Sequence, residues 1–156
     1  MLSIAITGAT GFIGTVLLSH LVDQGFHVKA LYRPASTPTP DQTDAVQWQP
    51  GDLEDIKSLR KLVAGVDAIV HCAGAVRGTS LEQFENTNTA GVAHLLQAAV
   101  EEKIPRFLLM SSLAAREPSL SAYASSKKSG EGVLVKYQDS AVFPSRQESS
   151  PLNRPP

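Results

Sequence analysis

Two patterns of apolar positions alternate along the chain. Short apolar runs predict buried strands, whereas apolar residues at every third or fourth position predict amphipathic helices. The predicted strands are Ser3–Thr7, His27–Tyr32, Ala45–Gln49, Asp67–Cys72 and Arg106–Met110. The predicted helices are Phe12–Gln24, Leu53–Val63, Thr87–Glu102 and Ala122–Tyr137.

This alternation of strand and helix predicts an α/β fold, a Rossmann-like doubly wound parallel sheet with helices on both faces. Right-handed crossover connections then lead to the strand order 3-2-1-4-5. In a sheet of this kind the carboxyl ends of the strands lie at one edge, where ligands bind. We therefore expect the functional residues to follow the strands.

The alternation stops after the last predicted helix. Residues 138–156 contain four of the ten prolines and no glycine. Within them only Ala141–Phe143 has the composition of a short strand, and Pro144–Pro156 is expected to be extended or disordered. We therefore predict a Rossmann domain over residues 1–137, followed by an irregular Pro/Ser-rich tail.

Composition narrows the class of protein. A length of 156 residues suits one domain, and a net charge of −1 gives no reason to expect nucleic acid or an anionic membrane as a partner. The single cysteine, Cys72, makes neither an internal disulfide nor a multi-cysteine zinc site, and the four histidines have no metal-ligand spacing, so no metal is expected. Residues 1–22 lack charge, but glycines interrupt them and no basic segment precedes them, so we predict no membrane span and a cytoplasmic protein.

A glycine-rich turn joins the first predicted strand to the first helix. Its sequence, Thr7 to Gly14, reads TGATGFIG. In this context Gly8 permits the tight turn, Gly11 leaves room for a pyrophosphate at the backbone, and Gly14 lets helix and strand pack closely. The helix N-terminus then stabilises the phosphates. The alternative is a turn whose glycines serve packing only.

The end of the second predicted strand bears on the choice of nucleotide. NAD-binding folds commonly have a carboxylate here for the ribose 2′-hydroxyl, but this strand ends Leu31-Tyr32-Arg33. The guanidinium of Arg33 suits a 2′-phosphate. We therefore expect NADP(H) to be preferred, with NAD(H) as the alternative. Arg33 as a solvated loop cation is the other interpretation.

Tyr123 and Lys127 are four residues apart on the last predicted helix and face the same way. A phenol is a poor base at neutral pH, but a neighbouring ammonium stabilises the phenolate. Such a pair moves a proton to or from a substrate oxygen while hydride passes to or from a nicotinamide. Ser112, just past the fifth strand, is expected to orient that oxygen. The alternative is a pair on a surface helix.

Together these segments resemble the extended short-chain dehydrogenase/reductases, in particular the NAD(P)-dependent epimerase/dehydratase and 3β-hydroxysteroid-dehydrogenase-like members. The matching segments, in chain order, are Thr7–Gly14, Gly51–Leu53, His71–Gly74, Asn88–Gly91, Ser111-Ser112 and Tyr123–Glu131. They cover about residues 3–137. Six matches in the order of the family are far more specific than any one of them.

The resemblance implies a role for each matching residue. It implies Gly8, Gly11 and Gly14 at the pyrophosphate, with Phe12 and Ile13 between them also at the cofactor. It further implies Asp52 and Leu53 at the adenine, Ala73 and Gly74 at the cofactor ribose, and Ser112, Tyr123 and Lys127 as the catalytic set. Lys127 is also implied to bind the nicotinamide ribose. Asn88 matches a helix asparagine that is structural or part of a proton relay.

The resemblance implies an oxidoreductase, epimerase or dehydratase that transfers hydride at a hydroxyl or carbonyl carbon. The substrate would be a sugar-nucleotide, a steroid-like molecule or another alcohol or ketone. A homodimer through Thr87–Glu102 and Ala122–Tyr137 is implied in the same way. A nucleotide-binding or redox-sensing module without turnover is the alternative function.

The end of the chain departs from the family. Extended members continue into a smaller C-terminal substrate domain, which we expect to be missing here. A truncated or out-of-frame reading of a longer gene, a short nucleotide-binding protein and a minimal reductase are the three explanations. The Pro/Ser-rich composition favours the first, so we expect weak binding and little turnover from this chain.

Overall fold

A computed structural model describes residues 2–35, 43–78 and 80–139. In that part of the chain five parallel strands form one sheet in the order β3-β2-β1-β4-β5, which confirms the predicted strand order. The strands are β1 (Ser3–Thr7), β2 (His27–Tyr32), β3 (Val46–Pro50), β4 (Ala68–His71) and β5 (Phe107–Leu109). The predicted strand at Ala141–Phe143 and the tail at Pro144–Pro156 lie outside the described residues.

The strand register brings the five carboxyl ends to the same edge of the sheet. Thr7 at the end of β1 pairs with His71 at the end of β4, and His71 pairs in turn with Leu109 of β5. On the other side Tyr32 of β2 pairs with Pro50 of β3. The loops that follow the strands therefore meet at one place.

Helices cover both faces of the sheet at β1, which explains why this strand is nearly continuously apolar. Along β1 the side chains of Ile4 and Ile6 pack on one face and that of Ala5 on the other, as the two-residue period of a strand requires. The face of Ile4 and Ile6 is covered by α1 (Phe12–Asp23) through Leu18 and Leu21. The Ala5 face is covered by α2 (Ile56–Val63) and α4 (Gly91–Glu101) through Leu59, Leu62, Leu95, Ala98 and Ala99.

The start of α2 corrects a sequence prediction. The helix begins at Ile56 rather than at Leu53. Asp55 is its N-cap, because its carboxylate accepts a hydrogen bond from the backbone N–H of Lys57 at 3.0 Å. The apolar side chain of Leu53 resembles a helical position by its spacing, but Leu53 belongs to the turn before the helix.

The long helix after β4 also begins earlier than predicted. The sequence predicts Thr87 as its start, but α3 (Leu81–Glu85) already begins after the N-cap Ser80, whose hydroxyl accepts from the N–H of Gln83. A five-residue π-helical segment, Asn86–Ala90, joins α3 to α4. Segments of this kind occur often at functional sites, because they change the direction in which the side chains project.

The last described element is α5 (Ala122–Asp139), which begins where the sequence predicts and continues two residues past Tyr137. Two short 3₁₀ turns, Leu113–Arg116 and Pro118–Leu120, lead into it from β5. A methyl group at Gly130 would overlap the carbonyl oxygen of Asn88, so α5 lies directly against the π-helical segment.

Candidate functional site

The glycine turn between β1 and α1 lies against the end of β4. Gly8 has a φ of 72°, which L side chains rarely adopt, and a Cβ on it would lie 2.5 Å from the amide nitrogen of Ala73. Gly11 donates its N–H to the Gly8 carbonyl oxygen at 3.0 Å and is the N-cap of α1. A methyl group at Gly14 would overlap that same carbonyl oxygen. The turn therefore tolerates no side chain at Gly8 or Gly14, whereas a Cβ on Gly11 would lie 3.3 Å from the Gly8 carbonyl oxygen, a tight contact. The N-terminus of α1 suits a phosphate anion.

The residue that follows β2 is Arg33, and no Asp or Glu is adjacent to it in the sequence. Tyr32 is buried, and its ring packs edge-to-face on Trp48 with centroids 6.2 Å apart. Arg33 comes next and is exposed at the sheet edge. An exposed guanidinium here is free to pair with an anion near β2.

Asp52 and Leu53 follow β3 in a turn held by side chains. The Asp52 carboxylate accepts the N–H of Glu54 at 3.0 Å. The Leu53 carbonyl oxygen contacts His94 Nδ1 at 2.8 Å, so α4 also holds this turn in place. A Cβ on Gly91, at the start of α4, would lie 2.8 Å from the Leu53 side chain. This glycine lets Leu53 remain buried beside the helix.

A buried Thr–His pair links the ends of β1 and β4. Thr7 Oγ1 and His71 Nδ1 are 2.5 Å apart, and the same oxygen accepts the N–H of Ala73 at 3.3 Å. Burial, helped by the charge of Lys127, lowers the pKa of His71 to about 3, so the imidazole is neutral at physiological pH. None of the described residues offers His71 Nε2 a hydrogen bond. The pair fixes the backbone beneath the predicted ribose-binding residue Ala73.

Asn88 lies within the π-helical segment and is buried. Its side-chain amide donates to the carbonyl oxygen of Ala75 and to Ser126 Oγ, each at 3.0 Å, and its Oδ1 accepts the N–H of Ala75 at 2.8 Å. These three hydrogen bonds join the segment after β4 to α5. They use the side chain for structure, which agrees with the structural interpretation of this residue.

The predicted catalytic residues come from α5 and from the segment after β5. Lys127 donates from Nζ to the Met110 carbonyl oxygen at 2.7 Å, and a Cβ on Gly74 would lie 3.8 Å from the same nitrogen. Burial lowers the pKa of Lys127, and the carboxylate of Glu131 opposes this change. The Lys127 contact therefore joins α5 to the segment that carries Ser112 and to the end of β4.

Ser112 and Tyr123 are close in sequence to the two residues of this contact, Met110 and Lys127. Ser112 Oγ accepts the N–H of Ala114 at 3.2 Å as the N-cap of a 3₁₀ turn, so its own O–H remains able to donate. Tyr123 is half-buried, and its ring packs edge-to-face on Phe84 with centroids 6.1 Å apart. Phe84 of α3 therefore supports the ring from the side of the π-helical segment.

A cavity of about 270 Å³ lies among the loops at the carboxyl edge of the sheet. The predicted site residues that line it are Gly8, Gly11, Arg33, Asp52, Leu53, Ala73 and Gly74. Further lining residues that the sequence did not single out for the site are Thr10, Leu31, Tyr32, Glu54, Cys72, Ala75, Asn86 and Thr87. The glycine turn, the Arg33 segment and the Asp52 turn thus share one cavity, as their predicted roles in binding one nucleotide require.

The other predicted site residues do not line this cavity. Gly14 packs inside the turn, and the side chains of Phe12 and Ile13 are 92% and 52% exposed. Asn88 is directed at Ala75 and Ser126, as described above. Of the predicted catalytic residues Ser112, Tyr123 and Lys127, Lys127 is the one that the described contacts bring to the border of the cavity, at Gly74.

Most of the missed lining residues are neighbours of predicted ones and were within reach of sequence reasoning. Tyr32 precedes Arg33, and Cys72 precedes Ala73 at the same strand end. Asn86 and Thr87 are different, because they reach the cavity through the π-helical segment. Nothing in the apolar spacing signals that segment.

Residues 2–35, 43–78 and 80–139 contain no group of three or more His, Cys, Asp or Glu that could hold a metal ion. In the same part of the chain no helix is both long and apolar enough to cross a membrane.

Fold and cavity together define a dinucleotide-binding domain of the Rossmann type. The sequence profile of the NAD dependent epimerase/dehydratase family matches residues 4–145. The chain belongs to this family, which confirms the resemblance drawn from the sequence.

Individual relatives extend the comparison. A ceramide reductase of Caulobacter vibrioides is 38% identical over 140 residues, which are 90% of this chain and 44% of that protein. A putative dihydroflavonol 4-reductase of Synechocystis is 34% identical over 112 residues, 70% of this chain and 32% of that one. The structure of UDP-glucuronic acid 4-epimerase from Bacillus cereus in complex with NAD superposes with a TM-score of 0.77 at 24% identity, covering 92% of this chain and 54% of the other. The chain therefore spans about half the length of such relatives, or less.

Proposed function

We propose that the chain carries the nucleotide-binding site and the catalytic residues of an NADP(H)-dependent oxidoreductase that reduces a ketone to an alcohol, or the reverse. The observation that carries this proposal is the contact of Lys127 with Met110 beside Gly74. Through this contact α5, which carries Tyr123 and Lys127, lies against the segment after β5 that carries Ser112. The contact is at the border of the cavity that the glycine turn lines. Proton transfer and dinucleotide binding thus have adjacent sites.

The residues of the chain fit a nicotinamide dinucleotide. Gly8 and Gly11 line a cavity of about 270 Å³ that continues from the turn to Asp52, so a pyrophosphate can reach the backbone of the turn. A bound nicotinamide would supply the hydride to the carbonyl carbon, or accept it in the reverse direction. Arg33 at the cavity wall favours a nucleotide with a 2′-phosphate.

Three side chains act on the substrate oxygen in this proposal. Tyr123 donates its phenolic proton to the oxygen as the carbonyl becomes an alcohol. Lys127 stabilises the resulting phenolate through its ammonium charge. Ser112 donates its O–H to the same oxygen and fixes its direction; among the described residues its hydroxyl accepts from Ala114, which leaves the O–H able to donate.

The relatives favour reduction over epimerisation. The two curated relatives described above are both named as reductases, at 38% and 34% identity. A UDP-glucose 4-epimerase of Vibrio cholerae is less similar, at 28% over 140 residues. We therefore place a ketone first among the candidate substrates, with sugar-nucleotides and steroid-like molecules after it.

Replacing the proposed proton donor tests the reaction. We expect Tyr123→Phe to lower NADPH oxidation with ketone substrates by about 10²–10⁴-fold, because the variant cannot transfer the proton. The dissociation constant for NADPH, measured by titration calorimetry, stays within about twofold, since general acid–base chemistry contributes little to binding the nucleotide. Equal turnover by the variant would contradict the role of Tyr123. Nucleotide binding without turnover by the wild type with any ketone offered would favour a binding module instead.

The proposed nucleotide preference has its own test. We expect Arg33→Ala to weaken NADPH binding by about tenfold and to leave NADH binding unchanged, because a charge-assisted pair with the 2′-phosphate is lost. Arg116→Ala is the matched control, since Arg116 is also exposed but does not line the cavity. Equal affinities of the wild type for NADPH and NADH would refute the preference.

A further inference from the structure

Ser111, directly before Ser112, makes a hydrogen bond with α5. Its hydroxyl donates to Glu131 Oε1 at 2.6 Å, in a half-buried position. This hydrogen bond is the main reason that the pKa of Glu131 lies below its ordinary value, so the carboxylate is charged and the bond is charge-assisted.

Two hydrogen bonds join α5 to the segment after β5: one between Ser111 and Glu131, the other between Met110 and Lys127. Lys127 and Glu131 are four residues apart and therefore project from the same face of the helix. Lys127 holds the carbonyl oxygen of Met110, and Glu131 holds the hydroxyl of the next residue. Two successive residues after β5 are thus fixed to two successive turns of α5.

These two hydrogen bonds to α5 lie at the point where the pairing of β5 with β4 ends. Met110 donates its N–H to the His71 carbonyl oxygen at 2.9 Å, continuing the pairing of β5 with β4. For Ser111 the hydrogen bond that the structure describes is the one to Glu131. Ser112 follows immediately and begins the 3₁₀ turn.

We propose that Ser111 and Glu131 are a positioning pair that sets the place of Ser112 relative to Lys127 and Tyr123; this inference rests on the function proposed above. Neither residue touches the reacting atoms in this scheme, and neither lines the cavity. Glu131 acts on the site through Ser111 and through its charge, which favours the protonated form of Lys127.

Hydrogen exchange on the full chain without any ligand tests the pair. The reporters are the amides of Ala114 and Ala115, which donate to Ser112 Oγ and to the Ser112 carbonyl oxygen. We expect Ser111→Ala and Glu131→Ala each to speed exchange at these amides by about tenfold, and the double variant to do no more than either one. Exchange in β1 and β2 stays unchanged.

Two further variants separate positioning from general stability. Ser111→Thr keeps the hydroxyl and should restore slow exchange. Lys128→Gln removes the exposed ion pair of Glu131 with Lys128, at 3.1 Å, without touching Ser111, and should behave as the wild type. Faster exchange throughout the chain, or an unchanged rate at Ala114 and Ala115, would overturn the proposal.

A kinetic measurement then connects the pair to catalysis. With a ketone that the wild type reduces, Ser111→Ala should lower kcat by about tenfold with little change in KM for NADPH, because a misplaced Ser112 affects the transition state more than nucleotide binding. Absence of turnover in the wild type would count against the proposed function and leave the exchange result standing. A normal kcat in Ser111→Ala would refute the positioning role.

Discussion

At the scale of single residues, Gly14 and Gly132 show how position decides what a glycine does. Both lie in helices, where alanine is intrinsically the better residue by about 1 kcal/mol. Gly14 faces the carbonyl oxygen of Gly8, whereas a Cβ on the exposed Gly132 of α5 meets nothing within 4 Å. Alanine should therefore be the more stable residue at position 132, whereas at position 14 the steric overlap outweighs its higher helix propensity.

We expect Gly14→Ala to lower the free energy of unfolding by at least about 2 kcal/mol, because its methyl group overlaps backbone that cannot move aside cheaply. Gly132→Ala, the matched control, should raise it by up to about 1 kcal/mol. Urea unfolding followed by circular dichroism measures both. Similar effects in the two variants would mean that α1 does not pack on the turn as described.

At the scale of elements, the π-helical segment Asn86–Ala90 contributes side chains both to the cavity and to the packing around it. It directs Asn86 and Thr87 to the cavity and directs Asn88 toward Ala75 and Ser126. Three parts of the fold, the segment after β4, the π-helical segment itself and α5, are therefore joined by one buried side chain. A regular helix would present these three residues with a different angular spacing.

Asn88→Ala tests this dependence. The variant loses the three hydrogen bonds of a buried side chain, one of them fully buried, and leaves backbone groups of Ala75 without their partner, so we expect the free energy of unfolding to fall by about 2–4 kcal/mol. Gln97→Ala is the control, because Gln97 also bonds through its side-chain amide, to Glu101, but is exposed on α4. It should cost no more than about 0.5 kcal/mol. A comparable loss in both variants, measured by urea unfolding, would argue against the buried link.

At the scale of the whole molecule, His71 connects the stability of the sheet to pH. It is fully buried at the end of β4, between the ends of β1 and β5, and its pKa is lowered from 6.5 to about 3. Between these values the unfolded chain binds a proton that the folded chain does not. Stability contributed by the neutral imidazole is therefore present above pH 6.5 and is lost as the pH falls below it.

Between about pH 7.5 and about pH 5.5 we expect the free energy of unfolding of the wild type to fall. This fall should exceed that of His71→Asn over the same range by about 1 kcal/mol, because the variant has no imidazole at this position to titrate. The asparagine keeps a polar partner for Thr7 but does not titrate. Glu101 and Glu131, whose pKa values are lowered by hydrogen bonds, add their losses below this range in both proteins. Parallel pH profiles of the two proteins in urea unfolding would contradict a buried neutral His71.

The sequence by itself determined the alternation of strands and helices, the strand order and the loops that hold the glycine turn, Arg33 and Asp52. Each of these depends on local rules: the period of apolar residues, the φ that a glycine permits and the handedness of crossovers. The helix starts at Leu53 and Thr87 were wrong for the same reason. Local apolar spacing does not reveal that Asp55 and Ser80 supply the caps.

Only the tertiary structure decided which side chains meet. Asn88 joins the segment after β4 to α5, Lys127 reaches Met110, and Glu131 reaches Ser111, all between residues far apart in the chain. These residues meet because of the way the helices pack on the sheet. That packing is cooperative, and no periodic pattern in the sequence indicates it. The residue types at the site were thus set by local chemistry, while their partners were set by packing across the fold.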